Sequence, residues 1–313
     1  MPKKLQLEFS SIFGLLLLVL SIWAIANELR EYNYHDIFNA IAAIPQQRLA
    51  WAIGLTVFGY IVMAGYDILG FAYINRSLHW QKIALTNFIS SSFSNTIGFA
   101  LLTGSAIRYR FYSKWQVSRI AIAQIIAFVN FTFWLGMFTV AGLIFLIHPL
   151  KIPTQLHLPF TTVRPLGVIF LCLILIYLIA SFTIKQPLII RNHEFRFPSF
   201  PISLMQIIIS SLDWMFAAAV LYALLPTYTP LAYLDFLGIY LLAMFAGIVS
   251  NVPGGLGVFE TVILLILSAK ISAVAVLGSM LAYRGVYYFL PLLLATGLLT
   301  FDEIGGGRRQ EAE

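Results

Sequence analysis

Four ionisable side chains stand inside strongly apolar stretches of this chain: Asp67, Asp213, Glu260 and Arg284. Two more, Arg108 and Arg110, follow a polar, glycine-containing run. A guanidinium matches the geometry of a phosphate, because its planar fork offers parallel N–H donors. A carboxylate in an apolar setting takes an amine, a proton or a structural cation. Each group also has a plainer reading. Asp67 and Asp213 would tie helices together, Glu260 would cap a helix N-terminus, and Arg108 with Arg110 would anchor a segment end beside Tyr109, Phe111 and Tyr112. Arg284 needs a carboxylate partner, and Glu260 is the candidate.

Glu260 follows Asn251-Val252-Pro253-Gly254-Gly255-Leu256-Gly257, which cannot stay helical through proline and three glycines. Asn251, Gly254, Gly255, Gly257, Glu260, Tyr283 and Arg284 therefore form one candidate binding set, joined by Arg108 and Arg110 from the first half. Thr103-Gly104-Ser105 leaves room for backbone N–H groups to help those two arginines hold an anion. Asp67 and Asp213 are candidate coupling or charge partners. The glycine loop lacks the Lys-Ser/Thr of a nucleotide loop, so it gives no support to ATP binding.

The elements that must position these residues follow from composition. The 313 residues are 60% apolar and 10% charged, with net charge +6, and the mean hydropathy is +0.89. A soluble domain is roughly 25% charged, so the chain reads as an all-α polytopic membrane protein. Nucleic-acid binding is excluded as a reading, because Lys and Arg are spread over short loops. Cys172 is the one cysteine and the five His stand alone, so neither a disulfide nor a metal site is expected. No cofactor or catalytic residue is expected either.

Six full spans are predicted: Phe9–Ala26, Leu49–Ile74, Ile120–Ile147, Pro165–Thr183, Ser199–Leu225 and Ser272–Thr300. The first reads as an uncleaved anchor, although Ala24-Ile25-Ala26 fits a cleavage site. Asn33–Ile44 reads as a short interfacial amphipathic helix. Residues 148–164 form a Pro/His-rich loop, and 302–313 a polar cytoplasmic tail. Two segments fit no simple span. Ile83–Ile107 is interrupted by a serine-rich centre, and Leu234–Ala269 by the glycine loop. Broken helices in a membrane survive only where protein or a wet cavity satisfies the backbone.

If Ile83–Ile107 re-enters, thirteen of the nineteen Lys and Arg are cytoplasmic and five are outside; if it crosses, seven are inside and eleven outside. The positive-inside rule favours re-entry, with both termini cytoplasmic. Ser94-Asn95-x-x-Gly98 and Ser250-Asn251-x-x-Gly254 lie 156 residues apart. The expectation is one membrane domain of two inverted pseudo-repeats, roughly 1–156 and 157–313, with two re-entrant helix pairs. Matching discontinuous helices point to a transporter site.

Asn251-Val-Pro-Gly-Gly-Leu-Gly-Val-Phe-Glu260 and Leu281-Ala-Tyr-Arg-Gly-Val-Tyr-Tyr-Phe-Leu-Pro291 resemble a bacterial family. So do Gly104-x-x-x-Arg108-Tyr109-Arg110-x-Tyr112 and Ser210-Ser-Leu-Asp-Trp214. The family is the flippase-like transmembrane region of lysylphosphatidylglycerol synthetase, the multiple peptide resistance factor, with its stand-alone YbhN-type relatives. The resemblance implies lipid handling in the bacterial cytoplasmic (inner) membrane, without the soluble synthase half. The expected function is a flippase for a phospholipid or polyprenyl-phosphate head group, with membrane lipids as partners. A second copy or a lipid-synthesis enzyme is a further expected partner. A membrane-embedded lipid-phosphate enzyme, a non-transporting scaffold subunit and an ion carrier are the alternatives.

Overall fold

The computed structural model describes residues 39, 41–97, 100–150, 161–186, 188–190, 193–226, 228, 231–250 and 257–310. The run 9–26, most of the proposed interfacial helix, Asn251, Gly254 and Gly255 lie outside them. The described part is helical, apart from one short ribbon. In order come α1 (Gln46–Tyr73), α2 (Trp80–Ile97), α3 (Ala100–Lys114), α4 (Arg119–Ile147) and α5 (Arg164–Thr183). Strands β1 (Leu188–Ile190) and β2 (His193–Phe195) pair antiparallel, Ile189 opposite Glu194. Then follow α6 (Phe200–Leu224), α7 (Tyr233–Val249), α8 (Val258–Leu267), α9 (Ala273–Tyr283), a π-helical turn (Arg284–Phe289) and α10 (Leu290–Gln310).

Five helical stretches are long and apolar enough to cross a membrane: α1, α4, α5, α6 and the continuous run Ala273–Asp302. They coincide with the five expected spans that fall among described residues. The ribbon is the exception to an all-helical reading. At the C-terminal side α10 stays helical through Gln310, and Asp302 pairs with Lys114 at 2.9 Å.

Local chemistry sets the helix ends. Ser118 and Ser272 accept the N–H of Ala121 and Ala275, each at 3.4 Å, and cap α4 and α9. Proline opens α5 and α6, where a missing N–H costs nothing. After α1 and after α3 the chain turns through a left-handed residue, Asn75 (φ 52°) and Gln116 (φ 61°). The amides of Arg76 and Val117 then reach back to Phe71 O and Tyr112 O, which satisfies the last carbonyls of each helix.

α2 and α3 form an antiparallel hairpin. Gly104 of α3 lies against Ser94 and the Ser90 carbonyl of α2. At the other end the Lys82 ammonium sits 5.3 Å above the Trp115 ring, so the hairpin begins and ends on one side. The serine run itself is helical, as α2 continues through it to Ile97. Several of those serines and threonines return their hydroxyls to their own helix; Ser92 bonds Phe88 O at 2.7 Å and Thr86 bonds Lys82 O at 2.9 Å. This lets a polar helix pack inward with most of its hydroxyls spent, while Ser94 Oγ stays buried without a partner.

The principal apolar core joins α4, α6, α7, α8, α9 and the π turn. A second cluster joins α1, α2, α3 and α4 through Tyr66, Phe71, Ile83, Tyr112 and Ile125. α4 and α6 approach most closely at Gly136, where an added Cβ would fall on the Ser210 backbone. Gly136→Ala should therefore cost about 1–3 kcal/mol by overpacking. Thermal unfolding in detergent reads this, with Gly54→Ala as control, since Gly54 has open space around it.

Candidate functional site

The buried charges fall into three arrangements, each tied to particular helices. In the first half, Asp67 of α1 meets Arg108 of α3. Arg108 donates Nε to Asp67 Oδ1 at 2.9 Å and Nη2 to Oδ2 at 2.8 Å. Tyr112 adds its hydroxyl to Oδ1 at 2.7 Å, and Asn87 of α2 donates Nδ2 to Oδ2 at 2.6 Å. The Asp67 carboxylate is thus neutralised and fully hydrogen-bonded. The pair's side chains are 0% and 6% exposed.

This corrects two expectations. Arg108 and Arg110 do not form a pair of guanidiniums on one anion. Two residues apart on a helix, they point to nearly opposite sides, so Arg108 is buried on Asp67 while Arg110 is half-buried elsewhere. On the re-entrant count, setting Arg108 aside leaves twelve basic residues against five. Thr103-Gly104-Ser105 is likewise no open anion loop. Gly104 lies within α3, where N–H groups enter the helix ladder, and its missing side chain serves the close approach of α2.

In the second half, Glu260 of α8 pairs with Arg284 at the start of the π turn. Gly257, at φ 79°, is the N-cap of α8. Glu260 Oε2 accepts the Gly257 N–H at 2.9 Å, so the same carboxylate caps its helix and holds the arginine. The pair is more open than its counterpart, with Arg284 17% and Glu260 5% exposed.

Tyrosines surround this second pair. Tyr283 stacks on Tyr287 with centroids 5.3 Å apart, and Tyr288 stands edge-on to both. Tyr240 of α7 shares a 2.8 Å hydrogen bond with Tyr283. A π turn widens the helix and loosens its ladder. Two of its carbonyls are met from the first half: Tyr60 of α1 donates to Tyr287 O at 3.3 Å, and Thr96 of α2 lies 3.4 Å from Tyr288 O. The π turn is therefore the seam on which both broken segments converge.

The third arrangement is Asp213 of α6. Tyr66 of α1 donates to its Oδ2 at 2.8 Å, and Oδ1 is buried with no hydrogen-bond partner. No group of His, Cys, Asp and Glu among the described residues suits a metal ion. Asn87, Tyr66, Tyr60 and Tyr240 complete the site without having been singled out in the sequence, and Tyr287 does so from within the Leu281–Pro291 motif. The signal for Asn87 is its place in the polar helix, and Tyr287 lies four residues after Tyr283.

The lysylphosphatidylglycerol synthase transmembrane region, as a family, matches residues 11–295. An uncharacterized protein of Synechocystis sp., slr0712, is 45% identical over 311 residues, covering 99% of this chain and 97% of its own. Inner membrane protein YbhN of Escherichia coli is 31% identical over 268 residues, covering 85% and 83%. A phosphatidylglycerol lysyltransferase of Staphylococcus xylosus is 26% identical over 313 residues, which is 96% of this chain and 35% of that enzyme. The chain belongs to the lysylphosphatidylglycerol synthase transmembrane-region family.

Proposed function

We propose that this chain moves a phosphate-bearing lipid between the leaflets of a bacterial inner membrane. The observation that carries the reading is the Glu260–Arg284 pair. It sits in an apolar protein, at the meeting of the first turn of α8 and the start of a π turn, and is partly open. Arg284 offers a fork for phosphate, Glu260 releases it, and the tyrosine hydroxyls supply neutral donors to head-group oxygens. Apolar helix faces accommodate acyl chains. Tyr283, Gly257, Arg110, Asn251, Gly254 and Gly255 belong to the proposed binding set. Arg108 and Asp67 hold its scaffold.

The family and the relatives' names support a lipid-related role in an inner membrane. The lysyltransferase activity named for the staphylococcal proteins is not carried over, because the match spans 35% of their length. No catalytic activity is proposed.

The transport geometry is a single membrane domain with inverted halves. The helix series α1, α2, α3, α4 runs long, short, short, long. A shift of about 156 residues carries it onto α6, α7, α8 and the run from α9 through α10. The common end of the α2–α3 hairpin supports re-entry, and the ten residues of α8 rise only about 15 Å. Both termini are then cytoplasmic.

Reconstituted vesicles with a labelled phospholipid in one leaflet test the function. Arg284→Ala and Glu260→Gln should each slow transbilayer movement at least about 100-fold, on the scale of losing a charged contact of roughly 3 kcal/mol. Wild-type rates in both variants would reject the mechanism.

A further inference from the structure

Three buried carboxylates face the interior of the described helices, and only one lacks a countercharge. Asp67 is held by Arg108, Tyr112 and Asn87. Glu260 is held by Arg284 and the Gly257 amide. Asp213 is 3% exposed, receives one hydrogen bond, from Tyr66, and keeps Oδ1 unpaired. Among the described residues no Lys, Arg or His forms an ion pair with it.

The groups facing Asp213 are phenols. Tyr60 and Tyr66 come from α1, Tyr240 from α7 and Tyr287 from the π turn, all within electrostatic reach. α4 presents the Phe133 ring and carbonyl beside Trp214, and Tyr177 of α5 is engaged with Ser203 and Gln206. Tyr283 of α9 is bonded to Tyr240. Phenols are uncharged near neutral pH, so nothing here balances an ionised Asp213. An isolated buried carboxylate charge is costly enough that the group neutralises instead. A metal cation would want several oxygens around it, and one hydroxyl does not supply them. A proton needs only the carboxylate.

Asp213 also lies where the two halves meet, since its one hydrogen bond crosses from α6 to α1. We propose that Asp213 is a proton-binding site on this seam, neutral in the packed conformation, and that release of its proton accompanies separation of α6 from α1. The coupling part rests on the lipid-transport reading; the proton site does not. A charge left at Oδ1 disfavours the packed seam and favours a state open to water, and differential affinity of that kind is what shifts a conformational equilibrium.

Two measurements on the full chain in lipid vesicles test this. The first is infrared difference spectroscopy across a pH titration, following the C=O stretch of a protonated carboxylic acid. The band should be present in wild type and in Glu260→Gln, and lost in Asp213→Asn. Asn matches the neutral acid in size and charge and can keep the Tyr66 bond, so folding is preserved. The second imposes a pH gradient and reads the leaflet distribution of a labelled phospholipid. One proton per lipid shifts that distribution by up to about tenfold per pH unit. Wild type should show the shift and Asp213→Asn should not. An unchanged acid band in Asp213→Asn overturns the proton site. An equal gradient response in both proteins, or a response to Na+ gradients alone, overturns the coupling. A wild type that moves no lipid while keeping the Asp213 band sustains the proton site and rejects the transport reading with its coupling.

Discussion

Asp67→Asn and Arg108→Ala should each lower the free energy of unfolding by about 3–5 kcal/mol, the usual loss when one member of a buried ion pair is removed. The mechanism is the group left behind. In Asp67→Asn the Arg108 guanidinium remains buried on α3 without a countercharge, and one of the two oxygens that receive Tyr112 and Asn87 becomes an NH2 donor. Without Arg108 the carboxylate keeps only two neutral donors. The double variant Asp67→Leu/Arg108→Met should lose less than the sum of the single losses, because neither charge is then stranded. It should not recover fully, since Asn87 and Tyr112 still lack a partner. Equilibrium unfolding in mixed micelles measures all three. Additive losses would show that the two side chains act independently.

The second large effect comes from the π turn. Gly285 has no neighbour within contact of an added Cβ, so Gly285→Ala should be tolerated, with a gain of about 0.5–1 kcal/mol from helix propensity. Deleting Gly285 is a different matter. A π turn carries one residue more than the α-helix it interrupts, and its removal rotates everything beyond it by about 100°. Ala295 would turn away from Ile89 and Phe111, with which it forms a small buried cluster. The carbonyls that receive Tyr60 and Thr96 would also shift register. Lipid movement in vesicles should be lost in the deletion and retained in Gly285→Ala. Equal rates in the two would remove the π turn from the mechanism.

These contrasts show which parts of the architecture a sequence displays. Spans such as Ile120–Ile147 were legible because lipid makes apolar length its own signature. The start of α8 just before Glu260 was legible because a glycine at 257 admits the φ of 79° found there. The partner of Arg284 followed from cost alone, as a mid-span guanidinium must have a carboxylate. The partner of Asp67 did not, because Arg108 resembles an ordinary end-of-segment anchor until α3 folds back and turns it inward. The π turn leaves no compositional trace; Arg284–Phe289 reads like any helix, and only the packing of α10 on α2 reveals the extra residue. The tyrosine seam was hidden for a similar reason, since an aromatic at helical spacing usually fills space.

The pairing pattern also bears on how the chain is made. In each half the carboxylate is synthesised before its arginine, by 41 residues for Asp67 and by 24 for Glu260. Asp67 enters the bilayer with α1, ahead of Arg108, and it becomes neutralised only when the α2–α3 hairpin arrives. The hairpin therefore neutralises Asp67 before α4 follows and before any of the second half exists. Asp213 emerges in the opposite circumstance, 147 residues after Tyr66, onto a half whose charges are already matched. Ribosome-bound chains released before and after Arg108 should differ in how firmly α1 resists extraction from the membrane.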